Sequence, residues 1–235
     1  MPNTFFRFKR FVVWQDRCAM KVGTDGVLLG AWATGGKRIL DIGAGTGVIA
    51  MMMAQRFPDA RVDAVEIDGM AYVQAVENVS QSPFAERIEL MNMSIQAFAG
   101  AEAHPSYDAI VSNPPYFENA LRNPDAQRMV ARHADTLPFA QLFGAVVRLL
   151  SDDGVFSAVI PAESKSRFDE EASYAGLFTI RQTGVKTTPR KPVRRYLMAY
   201  AKHPAAAVDT HEEVLEIAHG VRSEWYEGLT RDFYL

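Results

Sequence analysis

A glycine-rich loop is the first place in the chain where residue types and spacing point to chemistry. It reads Asp-Ile-Gly-Ala-Gly-Thr-Gly from Asp41 to Gly47 and follows a short apolar run. Its glycines let the backbone turn sharply and come close to a ligand, and the first N–H groups of the following helix have no partner within that helix. The loop predicts a site for a small adenosine-bearing cofactor. The predicted contacts are Asp41, Gly43, Gly45 and Gly47.

An acidic residue at the end of the next apolar run extends this prediction. Glu66 lies nineteen residues after Gly47, and a carboxylate there can accept hydrogen bonds from both ribose hydroxyls of an adenosine cofactor. Asp68 is expected to cap the helix that follows. Nicotinamide sites carry Gly-x-Gly-x-x-Gly, whereas this loop is Gly-x-Gly-x-Gly and has no Walker-type lysine. The spacing resembles the S-adenosylmethionine loop of class I methyltransferases, although the loop alone leaves a nicotinamide cofactor open.

A second motif, Asn113-Pro114-Pro115-Tyr116, indicates which group is modified. Two consecutive prolines cannot continue a central strand, so they fix an extended turn at the sheet edge where ligands bind. An exocyclic amine or amide nitrogen is a poor nucleophile because its lone pair is delocalised, so a site must hold its two hydrogens and align it with the methyl donor. The Asn113 side-chain oxygen and the Pro114 carbonyl can accept those hydrogens, while Tyr116 and Phe117 stack on the planar group. Base N6 or N4 amines, guanine N2 and protein glutamine amides are the candidate acceptors.

These motifs stand at the ends of apolar runs that predict a parallel sheet. Short β-branched runs alternate with helix-like stretches, as in a sheet covered by helices on both faces. Strands are predicted at 38–42, 61–67, 87–91, 107–111 and 154–160, and helices at 47–56, 69–80 and 138–150. A helix near 162–174 then precedes an antiparallel hairpin of 178–186 and 195–202 at the end of the sheet, and the tail over 223–235 is expected to form a last helix. The predicted fold is α/β, a Rossmann-like, doubly wound and mostly parallel sheet with a C-terminal antiparallel hairpin.

Length and composition fit a single domain. The 235 residues are 48% apolar and 23% charged, as expected for one globular domain with elaborations. We expect an N-terminal extension over 1–37, a core over 38–203 and a tail with a helix over 204–235. The chain has no 18-residue apolar run and no signal-peptide-like start, and Cys18 has no partner for a disulfide or metal site. A cytoplasmic protein without membrane contact or metal is therefore expected, with Cys18 inert.

Several stretches together resemble the bacterial tRNA(Val) adenine-37 N6-methyltransferases over almost the full length. They are 5–11, the run Lys-Val-Gly-Thr-Asp-Gly-Val-Leu-Leu-Gly-Ala-Trp that begins at Lys21, the glycine loop, 113–117 and 229–235. The resemblance implies methylation of the N6 amine of adenosine 37, beside the anticodon of tRNA(Val), with S-adenosyl-L-methionine as cofactor. It also places Thr24 and Asp25 beside the cofactor. A helix cap is the other interpretation of these two residues.

One stretch departs from the pattern of such enzymes. They commonly place an Asp after the third strand to bind the adenine amino group of the cofactor, whereas this chain reads Met-Asn-Met-Ser-Ile from Met91 to Ile95. Ser94 and the backbone of Ile95 can supply hydrogen bonds in its place. Ser94 is therefore the predicted adenine contact.

Two other functions stay open at this point. A protein glutamine N5-methyltransferase acting on release factors also uses Asn-Pro-Pro-Tyr, but such enzymes generally carry an additional N-terminal helical domain. Only about 37 residues precede the first predicted strand here, which is too few for one. A non-catalytic RNA-binding protein on the same fold is the third possibility, which the intact loop and Asn113 disfavour because a pure binder would not need them.

Net charge conceals two basic segments. The formal value of −3 has the wrong sign for a nucleic-acid-binding protein, but residues 1–24 carry +4 and residues 172–208 carry +7 with no acid. In the first segment Phe5, Phe6, Phe8 and Phe11 interleave with the basic residues, which suits phosphate contact beside base stacking. A polar stretch at 118–135 is predicted to be a lid that orders on tRNA binding. The predicted tRNA contacts are Phe117, Arg132, Lys9, Arg10, Arg190, Lys191, Arg194 and Arg195.

Overall fold

The computed structural model describes residues 4–18, 21–101, 106–115 and 137–235. The strands in these ranges are β1 (Phe5–Arg7), β2 (Val12–Trp14), β3 (Arg38–Ile42), β4 (Arg61–Glu66), β5 (Ile88–Asn92), β6 (Tyr107–Ser112), β7 (Leu150–Pro161), β8 (Phe178–Lys186), β9 (Val193–Ala201), β10 (Asp209–Val214), β11 (Glu216–Ala218) and β12 (Val221–Arg222). The α-helices are α1 (Thr24–Trp32), α2 (Val48–Arg56), α3 (Gly69–Ser80), α4 (Ile95–Gly100), α5 (Phe139–Leu149), α6 (Lys165–Tyr174) and α7 (Glu224–Thr230).

Eight strands form a central sheet in the order β10-β8-β9-β7-β6-β3-β4-β5. The five strands from β7 to β5 are parallel, β9 is antiparallel to both β7 and β8, and β10 is parallel to β8. Since β3 lies between β4 and β6, the order in which the chain adds strands reverses beside β3. This reversal leaves a crevice at the carboxyl ends of β3 and β6. The glycine loop and Asn113 both begin at that crevice.

The two faces of the sheet carry separate hydrophobic cores. Successive residues of a strand point to opposite faces, so Ile39 of β3 packs in the core that contains α1 and α2, and Leu40 in the core that contains α5 and α6. Burial on both faces is the reason that these strands read as continuous apolar runs. The predicted apolar face of α5 is confirmed, since Leu142 and Phe143 are fully buried.

The predicted α/β fold is confirmed, with differences at the C-terminal end. β8 and β9 pair as the predicted antiparallel hairpin, but they are not the end of the sheet, because β10 adds to the outer side of β8. β10 reads Asp-Thr-His-Glu-Glu-Val and is an exposed edge strand, so it lacks the apolar alternation that identifies a strand in sequence. The predicted last helix is shorter than 223–235 and ends at Thr230.

The N-terminal segment is more ordered than its sequence indicated. β1 and β2 form an antiparallel pair, and Phe8 and Phe11 are buried in the same core as α1 and α2. The ring of Phe8 stacks on Tyr234 at the other end of the chain, with centroids 6.1 Å apart. The two ends of the chain therefore pack on each other. In the described ranges, no helix combines the length and apolar character needed to cross a membrane.

Gly30 sets the distance between α1 and α2. A Cβ at Gly30 would lie 2.9 Å from Met52 Cβ and 2.8 Å from Met52 Sδ, and Met52 is fully buried. We expect Gly30→Ala to lower the free energy of unfolding by about 1–3 kcal/mol, the usual range for overpacking a core. Urea denaturation measures this change.

Gly26→Ala is the matched control in the same helix. A Cβ at Gly26 would lie 3.6 Å from the nearest atom, on Val48, which is an ordinary contact. Replacing a helical glycine there should leave the free energy of unfolding unchanged or raise it by up to about 1 kcal/mol. Equal effects of the two substitutions would contradict the packing argument.

Candidate functional site

The glycine loop has a backbone conformation that side chains rarely adopt. Gly43 and Gly45 have φ angles of +75° and +56°, in the left-handed region that favours glycine. The loop is fixed to the end of β4, because the N–H groups of Gly43 and Ala44 donate to the Val65 carbonyl at 2.9 and 3.1 Å. A Cβ at Gly43 or Gly45 would meet no atom within 4 Å. The loop therefore presents bare backbone to open space.

Asp41 lies beneath this loop and is fully buried. Its Oδ2 accepts a hydrogen bond from Ala50 N at 3.0 Å, which satisfies an N–H group in the first turn of α2. The residue that precedes α2, Gly47, has no side chain to do this. Burial raises the pKa of Asp41 to about 7; the Glu66 charge adds to the rise, and the Ala50 hydrogen bond opposes it. Asp41 thus supports the loop from below with no exposed surface, and its contact with a cofactor stays a prediction.

Glu66 is held at the edge of the loop by two backbone groups. Its Oε2 accepts a hydrogen bond from Gly45 N and its Oε1 accepts one from Asp68 N, both at 2.8 Å. Each carboxylate oxygen has two lone pairs, so each keeps one acceptor position for a hydroxyl group. The predicted cap is confirmed, because the Asp68 side chain accepts from Ala71 N at the start of α3.

The edge beyond Glu66 contains a residue that the sequence did not single out. Asn92 ends β5, and its Nδ2 donates to the carbonyl oxygens of Glu66 and Ile67 at 2.8 and 3.2 Å. Ser94 caps α4 by accepting from Ala97 N at 3.1 Å, which leaves its O–H free to donate elsewhere. The exposed side chains of Ile67 and Met93 provide apolar surface beside these groups.

A cleft of about 320 Å³ lies between the loop and the first turn of α1, a size at the lower end for small-molecule sites. Its lining comes from the N-terminal segment, the loop, the start of α2, the end of β6 and β9. The lining residues are 21–26, 43–46, 48, 49, Asn113 and Arg195. Glu66 and Ser94 lie outside this cleft, along the sheet edge.

Asn113 is positioned by the contact between β6 and β3. The Ser112 hydroxyl donates to the Ile42 carbonyl at 2.9 Å, which joins the two strands at the point where both motifs start. Asn113 and Pro115 are half-buried and Pro114 is buried. The other predicted residues of this region, Tyr116, Phe117, Arg132 and the 118–135 lid, lie outside the described residues.

Thr24 and Asp25 both line the cleft. The cap interpretation of these residues is wrong: Gly23 precedes the helix as its N-cap residue without a side-chain bond, and Thr24 is already the first helical residue. Asp25 Oδ1 lies 2.6 Å from Arg195 Nη1 in an ion pair between α1 and β9. Burial raises the pKa of Asp25, and the Arg195 charge partly offsets that rise.

Comparison with known proteins assigns the family. The family model described as the methyltransferase small domain matches residues 22–140. Proteins of Bacteroides fragilis (strain YCH46) and Trichodesmium erythraeum (strain IMS101), both named tRNA1(Val) (adenine(37)-N6)-methyltransferase, are 47% and 46% identical to this chain. Each alignment covers 100% of this chain and 99% of the relative. The chain belongs to the tRNA1(Val) (adenine(37)-N6)-methyltransferase family.

Solved structures agree with the fold of this family member. A predicted O-methyltransferase from Agrobacterium tumefaciens matches with a TM-score of 0.69 and 19% identity, over 89% of this chain and 96% of that one. A class I S-adenosylmethionine-dependent methyltransferase from Listeria monocytogenes matches with a TM-score of 0.56 and 14% identity, over 80% and 62%. The family and fold expected from the loop and the Asn-Pro-Pro-Tyr motif are confirmed.

In this methyltransferase, the N-terminal basic segment is largely occupied by internal contacts. The Lys9 ammonium donates to the Arg231 carbonyl at 2.6 Å, and the Arg10 guanidinium lies 5.4 Å from the ring centroid of Phe84. The expected stacking surface is wrong for Phe8 and Phe11, which are buried at 2% and 5% exposure. The charges of Lys9 and Arg10 remain exposed, and their contact with tRNA stays a prediction.

The C-terminal basic segment divides in a similar way. Arg181 stacks on Trp32 at 3.7 Å from the ring centroid, Lys202 donates to the Leu150 carbonyl, and Arg195 points into the cleft. The cations exposed in or beside the turn between β8 and β9 are Arg190, Lys191 and Arg194. Because β9 is antiparallel to β7, with Arg195 opposite Pro161, this turn lies at the same sheet edge as Asn113.

The raised pKa of Asp41 predicts a pH dependence of stability. Its folded value of about 7 exceeds the ordinary value of 3.8, so between these pH values the folded state binds more protons than the unfolded state. The free energy of unfolding therefore falls as pH rises through this window. Asp41→Asn keeps an oxygen for Ala50 N but cannot ionise. Urea unfolding at pH 5, 6, 7 and 8 should show wild type losing stability relative to Asp41→Asn, and a constant difference would contradict the assignment.

Proposed function

We propose that this protein transfers a methyl group from S-adenosyl-L-methionine to the N6 amine of adenosine 37 in tRNA1(Val). The observation that carries the proposal is that Asn113 lines the same cleft as the glycine loop, in a chain whose full-length relatives bear the name of this activity. The loop offers a cofactor site, and the side-chain oxygen of Asn113 offers a hydrogen-bond acceptor for a planar amine. Both are needed for this reaction, and they meet at the reversal of strand order.

The described residues fit S-adenosylmethionine, which supplies an electrophilic methyl group on a sulfonium when bound. The bare backbone of Gly43 and Gly45 faces open space, so the methionine part of the cofactor can lie directly against the loop. Glu66 keeps two acceptor positions for the two ribose hydroxyls. Ile67 and Met93 offer apolar contact for the adenine, with the Ser94 hydroxyl beside them. The cofactor would therefore run from the cleft along the sheet edge to the end of β5.

Asn113 would activate the amine by orienting it. The N6 lone pair of adenine is delocalised into the ring, so the nitrogen becomes nucleophilic only when its hydrogens are held and its lone pair faces the methyl group. The Asn113 side-chain oxygen and the Pro114 carbonyl are the two acceptors, and Tyr116 is the proposed stacking partner of the base. A strong base is not required before transfer, because the proton can leave after the N–C bond has formed.

The exposed turn between β8 and β9 is the proposed contact for tRNA phosphates. Arg190, Lys191 and Arg194 are exposed there, at the edge of the sheet that holds Asn113. Phosphate contacts give affinity and orientation without reading sequence. The turn would hold the anticodon arm while adenosine 37 enters the site.

Asn113→Ala tests the catalytic proposal. Transfer of labelled methyl groups to unmodified tRNA1(Val) should fall about 100-fold or more, because the amine loses its alignment. Mass spectrometry of the nucleosides reports N6-methyladenosine at position 37. The dissociation constants for S-adenosylhomocysteine and for tRNA should stay within about twofold of wild type, which serves as the folding control. An unchanged rate would remove Asn113 from the mechanism, and wild-type protein that methylates release factor but not tRNA would overturn the function.

A triple substitution, Arg190→Gln with Lys191→Gln and Arg194→Gln, tests the tRNA surface. If each cation neutralises one phosphate, the slope of log K against log salt concentration should become shallower by about 2 to 3. The matched control is the triple glutamine variant of Lys37, Arg38 and Arg61. It removes the same charge at the amino ends of β3 and β4, which is the end of the sheet away from Asn113. Filter binding of tRNA1(Val) from 50 to 300 mM salt gives both slopes. Equal slopes for the two triple variants would contradict the assignment.

A further inference from the structure

We propose that Arg195, held in place by Asp25, binds the carboxylate at the amino-acid end of the cofactor. The sequence placed Arg195 with the tRNA contacts, whereas its position in the structure assigns it to the cofactor cleft. This inference rests on the proposed use of S-adenosylmethionine. It adds a residue from β9, late in the chain, to a site otherwise built from β3, β4, β6 and α1.

Arg195 lies in a different environment from its basic neighbour Arg194. The pairing of β9 with β8 is irregular at Arg194, whereas β9 pairs regularly from Arg195 to Leu197, so the side chains of these two residues share one face of the sheet. Leu197, two residues further along β9, packs in the core that contains α1 and α2, which identifies the face on which Arg195 lies. Arg194 is exposed to solvent, while the Arg195 side chain is 20% exposed and reaches the first turn of α1.

The guanidinium of Arg195 forms an ion pair with Asp25 that does not occupy all of its donors. Its Nη1 lies 2.6 Å from Asp25 Oδ1, and a guanidinium has five N–H donors arranged in a plane. The donors that do not face Asp25 remain for a second anion, and a carboxylate can accept two of them in parallel. Because Asp25 already restrains the Arg195 side chain, less side-chain entropy is lost when a ligand binds.

The charges of the cleft match those of an α-amino acid. Asp25 carries a negative group and Arg195 a positive one, and both line the cleft together with the bare backbone of Gly43 and Gly45. The amino-acid end of S-adenosylmethionine carries an ammonium and a carboxylate on one carbon. With the carboxylate on Arg195, the ammonium faces the side of the cleft that contains Asp25. An ion pair in the lining of the cleft thus offers each ligand charge a partner of opposite sign.

Among the described residues that line the cleft, Lys21 is the other cation. It is exposed, and a flexible ammonium gains less from binding a planar carboxylate than a fixed guanidinium does. Lys21 is therefore the alternative that the experiment has to exclude.

Two ligands that differ only at the amino-acid end test the proposal. S-adenosylhomocysteine carries the carboxylate and ammonium, and 5′-methylthioadenosine keeps the adenosine thioether without them. By calorimetry on the full chain, Arg195→Gln should weaken S-adenosylhomocysteine about 10- to 100-fold, as expected for a lost hydrogen bond to a charged group. The dissociation constant of 5′-methylthioadenosine should change less than threefold.

Two further variants keep the test decisive. Arg195→Gln leaves Asp25 half-buried without its partner, so the double variant Asp25→Asn with Arg195→Gln removes both charges and should show the same selective loss with a near-native melting temperature. Arg17→Gln is the matched control, because it breaks an exposed ion pair with Glu77 outside the cleft. It should leave both dissociation constants within twofold of wild type.

Three results would overturn the proposal. Equal weakening of the two ligands would mean that Arg195 only supports the fold. If Arg195→Gln leaves the affinity for both ligands unchanged and weakens tRNA binding, Arg195 belongs to the tRNA surface. If only Lys21→Gln selectively weakens S-adenosylhomocysteine, Lys21 is the residue that binds the carboxylate. Failure of the tRNA function is distinguishable: wild type that binds S-adenosylhomocysteine without methylating tRNA1(Val) loses the proposed function, and the role of Arg195 is still decided by the two ligands.

Discussion

The hydrogen bond from Ala50 N to the buried carboxylate of Asp41 joins the end of β3 to the first turn of α2. The glycine loop lies between these two points, so its ends are fixed before any ligand binds. The middle of the loop is then held from β4, by the Val65 carbonyl and by Glu66. A loop tied in this way can keep two glycines in left-handed conformations and present their backbone to a cofactor. Burying a carboxylate is costly, and that cost is expressed in the raised pKa of Asp41.

The position of the glycine loop at the end of β3 also explains why Asn113 lies beside it. β3 and β6 are adjacent and parallel, so Gly43 and Asn113 leave the sheet at the same edge, and the Ser112 bond to the Ile42 carbonyl fixes their separation. A helix on either face cannot cover this point, because the chain adds strands in opposite directions on its two sides. The crevice is therefore a consequence of topology, while the side chains around it determine the reaction.

Sequence patterns predicted the features that depend on neighbours in the chain. The strands around the loop, the face of α5 and the Asp68 cap are all local, and each agrees with the structure. The differences come from contacts between distant segments: Phe8 is buried by residues near the C-terminus, and β10 is a polar strand that exists because β8 offers it an edge. Asn92 was missed because a single asparagine at a strand end gives no periodic signal.

Adjacent charges in sequence need not share a function. Arg194 and Arg195 increase the net charge of one segment equally, and composition alone cannot separate them. In the structure Arg194 is exposed to solvent, whereas Arg195 reaches Asp25 in the first turn of α1, where a partly buried carboxylate gives it a partner. A guanidinium held in that position is poorly placed for a polymer on the surface and well placed for a small anion in the cleft. An excess of positive charge therefore predicts that an anion is bound, while the position of each side chain in the fold determines which anion it can reach.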